Sequence, residues 1–322
     1  MRVVFFRDST SRVQGLAFFL LGLGSTLTIL LLVLRASGLL LALAGWYYPS
    51  WAAWAVLAAT LLLGLRGMQD AFGPARVRSF HLAKPGLHPG LEGLRIAQIS
   101  DVHVSHMNTP GQVNRLVEQV LALKPDLIAV TGDLVDGPWE KLRQAVAPLA
   151  ALKAPLGVHY ITGNHEYYWG VDAWLREFKS LGFELLLNDH RVLEREGAKL
   201  LVLGVNDPTA LRVGQGPGPD LETARRNAPE ADYTLFLAHQ PSAYALAETA
   251  GADLFLAGHT HGGQFFPFQF IVTFFHKHFR GLYQKTGHPT VYIHSGSGFW
   301  GPPNRLGVPP EIALFILERP SN

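Results

Sequence analysis

Residues 253–263 read DLFLAGHTHGG: an apolar run, a glycine, two histidines spaced i and i+2, then two more glycines. An apolar run bounded by turn residues reads as a buried strand, and glycine punctuates tight loops. His259 and His261 therefore sit where a strand gives way to a loop. If strand geometry continues, both side chains point to one side. Two imidazoles placed this way look like ligands that need partners from elsewhere in the chain. Whether other strand ends supply those partners decides the fold, because ligands of α/β sheets bind at the carboxyl ends of strands.

Other strand ends do supply them. LRIAQIS (94–100) runs into Asp101 and His103, again at i and i+2. DLIAVTG (126–132) runs into Asp133, VHYITG (158–163) into Asn164 and His165, and YTLFLAH (233–239) ends on His239. Further strands are expected at LLVLGV (200–205), VYIHSG (291–296) and IALFILE (312–318). Between them lie helical stretches. Thr109-Pro110 opens one, with apolar residues at Val113, Leu116, Val117, Val120 and Leu121 in amphipathic spacing. Others are expected around 139–151 and 171–181, and RVGQGPGPD (212–220) reads as a surface loop. The alternation predicts a layered α/β domain. An Asp after a strand often caps a helix, and a buried His is often only hydrogen-bonded. Five apolar runs that all end in Asp, Asn or His argue for one shared site instead. The chain has no cysteine, so a metal site must use nitrogen and oxygen ligands, a mixture suited to Mn, Fe or Zn. That many candidate ligands are too many for one ion and natural for two sharing a carboxylate.

Over 322 residues the formal net charge is +2, which gives no electrostatic case for a nucleic-acid partner. Hydrophobic residues make up 48%, and the excess lies at the N-terminus. Leu16 to Leu34 is uncharged and long enough to span a bilayer. Arg35 interrupts, and Leu39 to Leu65 follows with Trp46, Tyr47, Tyr48, Pro49, Trp51 and Trp54, residues that favour a membrane interface. A cleaved signal peptide followed by a core helix fits less well. The first run exceeds the usual ~7–15-residue apolar region, no A-x-A site follows it cleanly, and a second span comes after it. Arg2, Arg7 and Arg12 precede the spans and Arg66, Arg76, Arg78 and Lys84 follow them. The positive-inside rule then predicts a helical hairpin with both ends cytoplasmic; an odd number of crossings would place the domain outside. The expected organisation is an anchor at 1–68, a linker at 69–91 and a catalytic domain at 92–322.

Asp101-x-His103, Gly132-Asp133, Gly163-Asn164-His165-Glu166, His239 and Gly258-His259-x-His261 together resemble the five motif blocks of the calcineurin-like metallophosphoesterase family, in the family's order. The likeness covers roughly 92–318 and is nearest the membrane-anchored bacterial branch, which implies a bacterial inner-membrane location. It implies two packed mixed β-sheets flanked by helices. It also implies two divalent metal ions, with Mn first and Fe or Zn as alternatives. Asp101, His103 and His261 would hold the first, Asn164, His239 and His259 the second, and Asp133 would bridge both with a shared hydroxide as nucleophile. His165 would face the phosphate and leaving group as a catalytic residue rather than a ligand. Glu166 either orients or charges that histidine, or is a solvated loop carboxylate.

The substrate is read less directly. QFFPFQFIVTFFHKHFRGLY (264–283) is rich in Phe and tipped with His276, Lys277, His278 and Arg280. It is either a buried strand pair with a basic turn or an apolar lip that docks on the bilayer and admits a lipid tail. The family includes enzymes cleaving the pyrophosphate of UDP-2,3-diacylglucosamine, so a lipid-linked phosphodiester or pyrophosphate is the expected substrate and the bilayer the expected partner. In SGSGFWGPPNRLGVPPE (295–311), Arg305 either grips a phosphate bidentately or pairs with a surface carboxylate. Trp300 either stacks on a base or fills a loop core. The competing readings are a non-catalytic scaffold that keeps the fold, and an extracytoplasmic phosphatase.

Overall fold

The computed structural model describes residues 11–107, 110–275 and 278–320. Arg2, Arg7, Thr109, His276 and Lys277, and the side chain of Arg12, lie outside what it describes.

Two long helices come first, α1 (Ser11–Leu43) and α2 (Ala52–Phe72). Both are long and apolar enough to cross a membrane. The expected limits shift: α1 runs straight through Arg35, and the Trp46–Trp51 stretch forms the turn between the helices. An isolated arginine has good helix propensity, so charge alone does not end a helix.

The strands that follow are β1 (Arg76–Ala83), β2 (Arg95–Ile99), β3 (Leu127–Thr131), β4 (Val158–Ile161), β5 (Glu184–Leu185), β6 (Asp189–Arg195), β7 (Ala198–Gly204), β8 (Tyr233–Leu237), β9 (Leu254–Ala257), β10 (Gly281–Tyr283), β11 (Thr290–Ile293) and β12 (Glu311–Glu318). They form two mixed six-stranded sheets, ordered β1-β12-β2-β3-β4-β5 and β10-β11-β9-β8-β7-β6. β2, β3 and β4 are parallel neighbours, as are β7, β8, β9 and β11. The segment 69–91, read as a linker, instead carries the end of α2 and all of β1, which pairs with β12 along its whole length.

Between the sheets lies an apolar layer that includes Ile96, Leu127 and Ile161 facing Leu200, Leu235 and Leu254, all fully buried. Each such side chain contributes roughly 1.5–3 kcal/mol. The outer face of the first sheet is covered by α3 (Pro110–Ala122), α4 (Trp139–Val146) and α6 (Val171–Ser180), through residues such as Val117, Leu142 and Trp174. α5 (Asn164–Tyr168) begins inside the metal-ligand motif. Short helices α7 (Thr209–Arg212), α8 (Leu221–Arg225) and α9 (Tyr244–Thr249) follow, and Ala224 and Ala247 help cover the second sheet. The Phe-rich segment is not a strand pair: α10 (Phe268–Phe275) is a helix with Phe270, Ile271 and Phe274 exposed.

The hairpin meets the domain at several places, among them α3, where Arg115 Nη1 donates to Phe72 O at 3.2 Å, and the 299–305 loop. Arg305 N donates to Gly67 O of α2 at 2.9 Å, and the rings of Phe72 and Phe299 meet edge-on at 5.2 Å. A Cβ on Gly67 would sit 1.9 Å from Asn304 Oδ1, so a larger residue would have to displace the Asn304 side chain.

Candidate metal centre

Parallel neighbours bring their carboxyl ends to one edge, and the turns after β2, β3, β4, β8 and β9 meet there. The backbone leaves strand geometry as it arrives. Asp101, His103, Asp133, His259 and His261 all have positive φ, between 50° and 73°, and make up five of the ten such non-glycine residues among those described. The i, i+2 pairs therefore face the site through left-handed turns and not through strand alternation. Each left-handed residue of this kind costs on the order of 1 kcal/mol or more, and such strain gathers at functional sites.

The side chains form two adjoining groups, and a third, His103, Asp133 and His165, overlaps them among the described residues. Asp101, His103 and His261 offer ligand atoms that all lie within 4.8 Å of one another, and so do Asp133, His239 and His259. In the first, His261 Nε2 is 3.3 Å from Asp101 Oδ1 and 2.9 Å from His103 Nε2. In the second, Asn164 Oδ1 lies 2.9 Å from His259 Nδ1 and 3.1 Å from His239 Nε2. Asp133 Oδ2 lies between the groups, 3.2 Å from His239 Nε2 and 3.7 Å from His103 Nε2.

This donor set fits two cations. Burial pushes the His103 imidazole down to about 3, and burial together with His103 and Arg305 holds His261 well below the usual range. Neutral imidazoles are the ligating form. The two Nε2 atoms are 2.9 Å apart, a separation that serves both an N–H···N bond between neutral rings and joint ligation of one cation. Burial opposes charge on Asp133, but His239 and His165 outweigh it and hold that carboxyl well below the carboxylate range. Burial pushes Asp101 up to about 6.

Backbone groups orient the ligands. His239 Nδ1 donates to Thr131 O at 2.7 Å, which leaves Nε2 for the site. His259 N donates to both carboxylate oxygens of Asp101, at 3.0 and 3.1 Å. Glu166 is fully buried and accepts from Gly163 N (2.7 Å), Asp133 N (3.1 Å) and Leu134 N (2.8 Å). It is not a solvated loop carboxylate: it ties two ligand turns together, and it is among the carboxylates that raise the His165 pKa. Glycine is required at Gly163, where a Cβ would lie 2.1 Å from Asp133 Oδ1.

His165 stands beside the groups, with Nε2 4.0 Å from Asp133 Oδ2. Its Nδ1 meets Asp136 Oδ1 at 3.1 Å, and Trp169 Nε1 donates to the same oxygen at 2.9 Å. Burial opposes its charge, but Asp133 and Asp136 win and raise it to about 9. Asp136 escapes the sequence reading. The signal is present in TGDLVDG, where a second carboxylate follows Asp133 by one turn, but VDG reads equally as loop punctuation.

The two substrate residues fare differently. Trp300 is half exposed, with its ring centroid 6.0 Å from that of His165, and its backbone pairs with the Gln264 side chain. Arg305 is fully buried. Its Nη2 donates to Ser295 O and Gly296 O, and its Nη1 lies 3.3 Å from His261 Nδ1. It supports the first group from behind and pairs with neither a surface carboxylate nor an accessible phosphate.

Residues 94–263 match the calcineurin-like phosphoesterase family. The chain is 33% identical over 267 residues to a transmembrane protein with metallophosphoesterase domain from Danio rerio, covering 81% of this chain and 61% of that one. It is 33% identical over 247 residues to an uncharacterised metallophosphoesterase of Bacillus subtilis, covering 74% and 84%. A solved 5'-nucleotidase precursor from Thermus thermophilus aligns at TM-score 0.43 and 16% identity, over 65% of this chain and 49% of that one. The chain thus spans 61% of the length of the Danio rerio relative and the same share of a Bos taurus one. Because the matched segment contains all five ligand-bearing turns, from Asp101 to His261, the chain belongs to the calcineurin-like phosphoesterase family.

Proposed function

We propose that this chain is a membrane-anchored dinuclear-metal phosphoesterase that hydrolyses a phosphodiester or pyrophosphate bond of a lipid-linked substrate. The observation that carries the reading is the Asp133 carboxylate between two nitrogen- and oxygen-rich groups. Asp101, His103 and His261 would hold one ion, Asn164, His239 and His259 the other, and Asp133 both. When bound, such a pair supplies Lewis acidity toward phosphoryl oxygens and lowers the pKa of a water.

The rest falls to the chain's own groups. His165 is oriented by Asp136 and presents Nε2 beside Asp133. From there it donates a hydrogen bond to a phosphoryl oxygen and its proton to the departing oxygen, a contribution typically worth about 10²–10⁴-fold. Trp300 walls the side of the site next to His165. The exposed Phe270 and Phe274 of α10, and the hairpin packed on the 299–305 loop, support a substrate with an apolar tail. UDP-2,3-diacylglucosamine is the first such compound to try, and manganese the first metal. The positive flanks of the hairpin support a cytoplasmic domain on a bacterial inner membrane.

Hydrolysis of bis-p-nitrophenyl phosphate by detergent-purified protein, stripped of metal and then given Mn²⁺, tests the reading. Asp133→Asn should abolish turnover and lower metal content. His165→Ala should lose about 10²–10⁴-fold in rate and keep both metals. Loss of metal from the His165 variant would make that residue a ligand and overturn its assigned role.

A further inference from the structure

At the foot of α2, away from the metal groups, a cavity of about 370 Å³ opens between the helix end, the start of β1 and α3. That size falls within the usual range for ligand pockets. Arg66, Gln69, Asp70, Arg76, Gln119 and Pro309 are among its lining residues, and none of the candidate metal ligands reaches it.

Three features fix the kind of ligand. The first is depth. From Ala52 to Leu65 helix α2 carries no charge, about 20 Å at 1.5 Å per residue, and Arg66 is the first charge on the domain side. The opposite end is marked by Trp46, Tyr47, Trp51 and Trp54, all strongly exposed. The cavity therefore sits at the domain end of the uncharged stretch of α2, on the side where headgroups would meet a hairpin that spans the bilayer. The second is charge. Two guanidinium groups line it against one carboxylate, and Asp70 is already paired with Arg66 at 2.8 Å. Arg76 is exposed and has no side-chain partner among the described residues, although its backbone N donates to Pro310 O. Arg115 adds a third cation nearby, with Nη1 donating to Phe72 O at the last turn of α2. The third is donor chemistry. Gln69 offers an amide for hydroxyl groups, whereas Gln119 is committed to both backbone groups of Ala75.

We propose that this cavity binds the headgroup of an anionic glycerophospholipid, with the phosphodiester between Arg66 and Arg76 and the glycerol hydroxyls on Gln69. Arginine suits a phosphate better than lysine does, because its planar fork reaches two oxygens at once. The site is distinct from the metal centre and would orient the anchored domain over the bilayer. It rests on the membrane-anchored reading above.

The test uses the full chain in phosphatidylcholine vesicles with and without a minority of phosphatidylglycerol, beside an Arg66→Gln/Arg76→Gln double variant. Flotation with the vesicles is scored first. Co-purifying lipid is then counted by native mass spectrometry, and metal content confirms that the variant is folded. The wild type should retain phosphatidylglycerol over phosphatidylcholine, and the variant should lose this preference by on the order of fivefold for each arginine removed. Equal retention by both proteins would mean annular lipid only and would overturn the site. Stabilisation by inorganic phosphate equal to that by the lipid, and lost in the variant, would make it a free-phosphate site and overturn the headgroup assignment. A chain that does not float with any vesicle would sink the membrane reading and this site with it; flotation without preference sinks the site alone.

Discussion

The ligand turns hold their residues in conformations that an unconstrained chain avoids, and glycine supplies the room. A methyl group at position 163 has no place to go, because Asp133 Oδ1 lies within 2.1 Å of where it would sit. Gly163→Ala should push the shared carboxylate aside. We expect a loss of about 1–3 kcal/mol in stability and a weaker hold on metal, read by chemical denaturation and metal analysis; a variant with unchanged metal content would show that the turn can yield. A second residue-scale case is Glu311, nearly fully buried behind the first group. Burial opposes its charge, and His294 beside it counters this only in acid, since burial pushes that imidazole down to about 4; at neutral pH the carboxylate is held by Ser295 N (2.8 Å), Tyr292 Oη (2.8 Å) and Arg78 Nε at 2.9 Å. Its folded pKa is thereby held below the unfolded value of about 4.3. The stabilisation is fully present above about pH 4.3 and is lost as pH falls through the lower folded value. Glu311→Gln should therefore cost about 1–3 kcal/mol at neutral pH, with the gap to wild type closing in acid. Urea unfolding across that range checks it, and a gap that stays constant would remove charge as the cause.

At the scale of elements, the parts legible in the sequence are those whose pattern is set by burial. β2, β3, β4, β8 and β9 are short apolar runs between punctuating residues, and α3 buries Val113, Leu116, Val117 and Val120 as its spacing predicts. β1 is hidden from such a reading because RVRSFHLA lies half exposed on an edge and mixes charge with apolar residues, so it looks like linker. α10 misleads in the opposite direction. Phe, Ile and Val favour strands, and the helical period rests on only two polar residues, Gln269 and Thr273, four apart in an otherwise apolar run. Pro267 immediately before it is the overlooked signal, since proline is favoured at the opening of a helix. Because Phe270 and Phe274 are 58% and 86% exposed, replacing both with serine should change fold stability by no more than about 0.5 kcal/mol. Turnover of a lipid-linked substrate in vesicles should fall several-fold while that of bis-p-nitrophenyl phosphate is unchanged. An equal fall for both substrates would show that the helix serves the site itself and not an apolar tail.

For the molecule as a whole, parallel order takes β2, β3 and β4 to one edge of the first sheet and β8 and β9 to one edge of the second, and the packing of the two sheets brings these edges together. The residues at the strand ends are readable without coordinates, and their division into ligand sets comes with the family resemblance. The joints are not readable in this way. Asp136 behind His165, Glu166 across two turns and Arg305 behind His261 all act through contacts between segments far apart in sequence, and no local pattern records them. The most consequential joint is the one between Gly67 and the 304–305 loop. A membrane tether is ordinarily something that can be cut, leaving a soluble enzyme behind. Here the helix forms part of the wall: it receives the backbone of Arg305, whose guanidinium lies against His261. A fragment beginning at residue 73 would keep every ligand and lose that backing. Such a fragment should bind metal more weakly than the intact chain in a competition with a chelator, even where its circular dichroism matches that of the intact chain less the contribution of α1 and α2. The soluble version of this protein would then have the full list of parts and a loosened centre.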